Sequence, residues 1–124
     1  MSIAQYITSC VTMCHNESVA NGWWDNLITG EKIDAMEVAP IKLLLVHSEI
    51  SEAVEGLRKN TMDDHLKHRK SIEVELADAL IRIFDLGGAL ELDLGGAVKE
   101  KMAYNAKRLD HKPEERAKKH GKKF

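Results

Sequence analysis

Two segments of this chain carry apolar residues at the spacing of one helix face: Leu43, Val46, Ile50, Ala53 and Leu57, then Ile72, Leu76, Ala79, Ile83 and Leu86. That recurrence matches a 3.6-residue helical period and excludes half-buried strands, in which every second residue would be apolar. Pro40 suits a first helical turn, so the earlier stripe predicts a helix from about Pro40 to Lys59. The later stripe starts at Ser71 and ends at Gly87 and Gly88, which suit a helix C-terminus. Ile3, Ile7, Cys10, Val11 and Cys14 predict a further helix over residues 2–20, stopping near Gly22. Asp93 fits as the N-cap of a last helix carrying Leu94, Val98, Met102 and Leu109, with Pro113 beyond its end. Four such helices joined by polar connections predict an all-α four-helix bundle. The apolar coverage of "PIKLLLV" and the short last helix leave more apolar surface than one chain hides, so completion as a homodimer or homotetramer is expected.

At 124 residues the chain fits one domain, expected over residues 1–111, with a basic and flexible tail at 112–124. The tail carries a net charge of +4 and the remainder −6. A mostly acidic body argues against duplex nucleic acid as a partner, because phosphate binding needs a basic face. No basic segment precedes a continuous apolar one, and no apolar run approaches the ~20 residues that span a bilayer, so the expectation is no membrane and a cytoplasmic protein. Cys10 and Cys14 lie on one helix face and are expected as two free, buried thiols. A zinc site would need two more ligands from scattered histidines.

The helix stripes contain an anomaly. Glu49 and Glu52 stand three apart beside Val46, Ile50 and Ala53, and Glu75 and Asp78 repeat that spacing beside Ile72, Leu76 and Ala79. Residues at i and i+3 lie roughly 60° apart on a helix, so each pair converges at the edge of the helix seam. Two carboxylates 4 Å apart repel by about 4 kcal/mol at an effective dielectric of 20, so something cationic must compensate. Ion pairs with Lys42, Arg58, Lys70 or Arg82 on solvated faces are one answer, and a hard divalent cation held by carboxylate oxygens is the other. A di-iron bundle would want Glu-x-x-His motifs, which the chain lacks, and there is no EF-hand loop. Glu55 lies on the next face and is expected in solvent.

"EISE" at 49–52 followed by "ELAD" at 75–78 resembles the signature of the MazG-like all-α nucleoside triphosphate pyrophosphatases. "KMAYNAKR" at 101–108 is similar to the Lys-x-x-x-Asn-x-x-Arg element of that family, and "NGWWD" and "HGKKF" look like segments of its single-domain members. The resemblance implies hydrolysis of a nucleoside triphosphate, of deoxy type, to the monophosphate and pyrophosphate. It implies Mg²⁺, with Mn²⁺ as a substitute, held by Glu49, Glu52, Glu75 and Asp78, one of which would orient the water. Lys101, Asn105 and Arg108 fall on one face of the last helix; the pattern alone allows a solvated basic face, and the resemblance implies phosphate binding.

Three further residues are expected at the substrate. Arg82, one turn beyond Asp78, can reach phosphate or pair with Asp78 or Asp85. Of the adjacent loop tryptophans Trp23 and Trp24, one should pack inward and the other cover a base; Trp24 is assigned to the base. His15, just before this loop, is expected against the substrate. The rival from another class is a non-catalytic helical interaction module whose acids form surface salt bridges.

Overall fold

The computed structural model describes all residues from Met1 to Phe124. It is all-α, with α1 (Ile3–Ala20), α2 (Ala35–Lys59), α3 (Ser71–Ala89), α4 (Leu94–Lys107) and α5 (Pro113–Arg116), and a 3-10 turn at Leu109–His111. Only two isolated bridges interrupt the loops, Asp25 with Lys32 and Met62 with Lys70. No helix is long and apolar enough to cross a membrane.

Helix α2 begins at Ala35 rather than at Pro40. Asp34 is its N-cap, with the carboxylate accepting from the Met36 N–H at 3.0 Å, and Glu37 lies in the first turn. Asp34-x-x-Glu37 has the spacing of a capping box, the signal by which the sequence marks this start. Pro40 lies inside the helix, in its second turn, rather than at its start. The helix ends at Asn60, whose left-handed φ of 52° turns its N–H back onto the Gly56 and Leu57 carbonyls.

Helices α2 and α3 run antiparallel, with Gly56 against Ser71 near the connecting loop and Glu49 against Arg82 further along. A Cβ on Gly56 would lie 2.7 Å from the Ser71 Cβ and 3.4 Å from the Ile72 nitrogen. The absent side chain therefore sets how closely the two helices approach. Gly56→Val is expected to lower stability by about 2 kcal/mol in urea denaturation, because the crossing must widen, even though glycine is the poorer helix former.

Two compact units divide the chain. Ser9–Leu92 holds most of α1, the tryptophan loop, α2 and α3; Met1–Thr8 with Asp93–Phe124 holds the start of α1, α4 and α5. The core of the larger unit is Trp24, Ala39 and Leu86, with Ile33, Val38, Ala89 and Leu90 packed on it. It lies where the loop closes over the start of α2 and the end of α3. No large side chain is fully buried, and Leu44, Val54 and Leu57 stay well exposed. Both cysteines are free, and Cys10 is exposed rather than buried.

In the smaller unit Asp93 caps α4 as expected, accepting from the Gly96 N–H at 2.8 Å. A Cβ on Gly95 would lie 2.3 Å from the Ala4 carbonyl oxygen, so α4 meets the beginning of α1 backbone to backbone. The helix stops at Lys107, and Leu109, expected on its stripe, belongs to the 3-10 turn instead. Residues 112–124, expected as a flexible tail, carry α5 and fold back on it. Arg116 donates to the Lys122 and Lys123 carbonyls, and Lys123 Nζ to those of Arg116 and Lys118.

Candidate functional site

A seven-residue spacing returns a helix to the same face, and both long helices use it for polar groups. On α2 the line is Lys42, Glu49 and Glu52; on α3 it is Glu75, Asp78, Arg82 and Asp85. The antiparallel crossing turns these lines toward each other. Glu49, Glu52 and Glu75 each place a carboxylate oxygen within 4.8 Å of the others. Glu49 is buried at 8% exposure, Glu75 is partly buried and Glu52 is exposed. Asp78 stands outside this group of three, one turn along α3. Glu55 is apart as expected, paired with Arg58 at 2.6 Å and Lys59 at 3.0 Å. The Arg58 hydrogen bond, then that of Lys59, draws its carboxyl down to about 2.

Arg82 answers part of the negative charge: its Nε donates to Glu49 Oε1 at 2.8 Å. Its partner is thus Glu49, not Asp78 or Asp85, because the crossing places the α2 acid nearer than the acids of its own helix. Burial raises the Glu49 carboxyl, but hydrogen bonds from Arg82 and Glu75 outweigh it and hold Glu49 below the ordinary carboxylate range. Glu75 goes the other way. Burial, then its hydrogen bonds with Glu49 and Glu52 and their charge, push it from 4.5 up to about 7. Asp78 is raised by burial and then by the Glu49 charge.

A raised carboxyl means that the folded protein holds a proton that the unfolded chain releases. The stabilisation is complete below the unfolded value of 4.5 and is lost as pH rises through about 7. Metal-free protein is therefore expected to lose about 2 kcal/mol over that window, solvent screening allowed for. Urea denaturation in EDTA at pH 4.5, 6 and 7.5 checks this.

The cluster adjoins a cavity of about 630 Å³ lined by Glu17 and Ser18 of α1, Asn21 and Trp23 of the loop, Lys42, Leu45 and Glu49 of α2, and Asp78, Ile81, Arg82 and Asp85 of α3. Four acids, two cations and an apolar wall of Trp23, Leu45 and Ile81 share this space. Trp24, expected to cover a base, is instead the tryptophan in the core, 5% exposed. Its Nε1 donates to Asp85 Oδ1 at 2.9 Å, and Lys42 Nζ lies 4.7 Å from its ring centroid. No ring face remains open for stacking, because the core residues and Lys42 take them. Trp23, 67% exposed at the cavity, holds the free indole.

Asp85 organises this end of the cavity. Besides the Trp24 indole it accepts from Ser18 Oγ at 2.8 Å and lies 2.9 Å from His15 Nδ1. His15, expected against substrate, is thereby a partner of Asp85, packed edge-on to Trp24 with ring centroids 5.8 Å apart. The sequence reading passed over Lys42, Trp23 and the anchoring role of Asp85. The signal was present for two of them: Lys42 precedes Glu49 by seven and Asp85 follows Asp78 by seven.

Lys101, Asn105 and Arg108 belong to the smaller unit. Lys101 Nζ lies 4.8 Å from the Tyr104 ring centroid. Asn105 Oδ1 is buried with no hydrogen-bond partner, which disfavours the fold by about 1–3 kcal/mol unless a donor arrives. Arg108 lies past the helix end in extended backbone. Its guanidinium is held by both oxygens of Asp110, at 3.0 and 2.7 Å.

The donor set decides which cation would fit. Three carboxylates from two helices offer hard oxygen ligands and no thiolate or imidazole, which suits Mg²⁺ or Mn²⁺ and not a zinc or copper site. Converging oxygens from only three side chains also suit an ion that keeps several waters. No protein-family model matches the chain, and neither the curated proteins nor the solved structures contain a significant match to it.

Proposed function

We propose that this chain is a Mg²⁺-dependent nucleoside triphosphate pyrophosphohydrolase of MazG-like type, acting on a deoxynucleotide in nucleotide-pool housekeeping. The carrying observation is the convergence of Glu49, Glu52 and Glu75 within 4.8 Å beside a nucleotide-sized cavity that also holds Lys42 and Arg82. Each added carboxylate raises the repulsion, which Arg82 and a proton on Glu75 offset in part and a bound cation would offset further.

In this reading Glu49, Glu52 and Glu75 would hold the Mg²⁺, with Asp78, one turn along α3, as the fourth ligand that the MazG-like resemblance implies. When bound, the ion neutralises phosphate charge and makes water more nucleophilic. Water oxygen bonds to the α-phosphorus as its proton passes to one of the carboxylates, the bond from that phosphorus to the bridging oxygen breaks, and pyrophosphate leaves. Lys42 and Arg82 are placed to meet the polyphosphate, and the exposed Trp23 indole offers a face for the base. Lys101 and Asn105, in the smaller unit, are phosphate candidates through the resemblance to the MazG-like Lys-x-x-x-Asn element alone. Exposed Leu44, Val54 and Leu57 on α2 support closure of the apolar surface by a second copy, as a homodimer or homotetramer in the four-helix-bundle manner.

The test is a screen of common and modified (deoxy)nucleoside triphosphates for pyrophosphate release. Turnover of at least one is expected with Mg²⁺ or Mn²⁺ and none in EDTA. Metal-independent release, or a cluster that binds neither ion, would favour the helical interaction module instead.

A further inference from the structure

Glu49 is the one buried charged residue of the chain, and its counter-ion is held loosely. Arg82 touches it through Nε alone, at 2.8 Å, and its side chain is 39% exposed. A guanidinium has five N–H donors, and a pair built for structural strength would be bidentate, as Arg108 is with Asp110. Here the terminal NH1 and NH2 groups make no hydrogen bond to the protein, and Arg82 lines the cavity together with Lys42. One nitrogen satisfies the acid while the remainder of the fork stays available to a ligand in the same space.

We infer that Arg82 is a resident counter-ion of Glu49 which an incoming divalent cation displaces, and that the released guanidinium then takes the polyphosphate. This rests on the metal-dependent reading above. A cation at Glu49 competes for the oxygen that Arg82 uses and repels the guanidinium. The side chain, already partly in solvent, turns to the nearest polyanion in the cavity. Metal and polyphosphate are therefore coupled through Arg82, and by linkage each strengthens the other's binding by the same factor. The ion pair also keeps a buried carboxylate compensated when no cation is present.

The inference predicts opposite effects of one residue on two ligands. Calorimetry with Mn²⁺ alone should give Arg82→Gln about fivefold tighter binding than wild type, since the competitor is gone. Inorganic tripolyphosphate, titrated in EDTA, should bind Glu49→Gln about fivefold more tightly than wild type, because the weakened pair frees Arg82. Glu52→Gln removes the same charge from the cluster without touching Arg82, so its gain should be smaller. Adding Arg82→Gln to Glu49→Gln should abolish the gain. Circular dichroism accompanies each variant.

Equal gains in Glu49→Gln and Glu52→Gln, or unchanged Mn²⁺ affinity in Arg82→Gln, overturn the inference while metal-dependent turnover keeps the enzyme reading. Wild type that shows the predicted binding pattern but hydrolyses no triphosphate keeps the counter-ion exchange and overturns the enzyme reading.

Discussion

If the chain is the proposed pyrophosphohydrolase, Glu52→Gln will reduce Mg²⁺-dependent pyrophosphate release by about a thousandfold or more while leaving the helical circular dichroism intact. The substitution keeps the side-chain shape and removes one anionic ligand from the cluster of Glu49, Glu52 and Glu75. Metal stabilisation of a transition state amounts to several kcal/mol, and about 4 kcal/mol corresponds to a thousandfold in rate. Stability should not suffer, because Glu52 is exposed and its charge is a source of repulsion within the cluster. Glu55→Gln, three residues on but paired with Arg58 and Lys59 on the surface, should leave the rate unchanged. A Glu52→Gln protein that retains wild-type turnover would show that these carboxylates do not hold the metal.

The largest effect on stability is expected at Asp85. Its carboxylate meets the Trp24 indole, the Ser18 hydroxyl and His15, and the side chain is only 14% exposed. Asp85→Ala leaves the indole N–H of a core residue without an acceptor and releases the loop from α3. Leaving buried donors unpaired destabilises by about 1–3 kcal/mol each, so a loss of about 3 kcal/mol is expected after partial rescue by water. For a chain of this size that lowers Tm by about 12 °C. Differential scanning calorimetry reads it directly, and a fall of less than about 3 °C would remove Asp85 from its anchoring role.

These two residues differ in how visible they are before the fold is known. The acid pairs stand out because a helix face should stay apolar where Val46, Ile50 and Ala53 mark it, and Glu49 and Glu52 break that pattern at a spacing that must converge. Asp85 follows Asp78 by seven and so shares its helix face, but its three partners come from α1 and the loop, some sixty to seventy residues away. The tryptophans show the same limit. Adjacent loop residues point apart, so one inward and one outward indole follows from the backbone, but which is which depends on the packing of Trp24 against Ala39 and Leu86. Lys101 and Arg108 both reach the Tyr104 ring, at 4.8 and 5.7 Å from its centroid, although α4 ends at Lys107 and Arg108, in extended backbone, pairs with Asp110.

The sequence by itself determined that the four longer helices exist, along with the cap at Asp93, the two acid pairs and the separation of Glu55 from them. All of these follow from interactions between residues within a turn or two, which period and cap chemistry encode directly. Tertiary structure alone decided that Glu49, Glu52 and Glu75 meet while Asp78 stands one turn off, that Arg82 answers Glu49, and that Trp23 rather than Trp24 faces the cavity. Those outcomes depend on the register of α2 against α3, set where Gly56 lets Ser71 approach. A shift of one residue there would turn a different set of side chains toward the seam, and no short-range pattern specifies it.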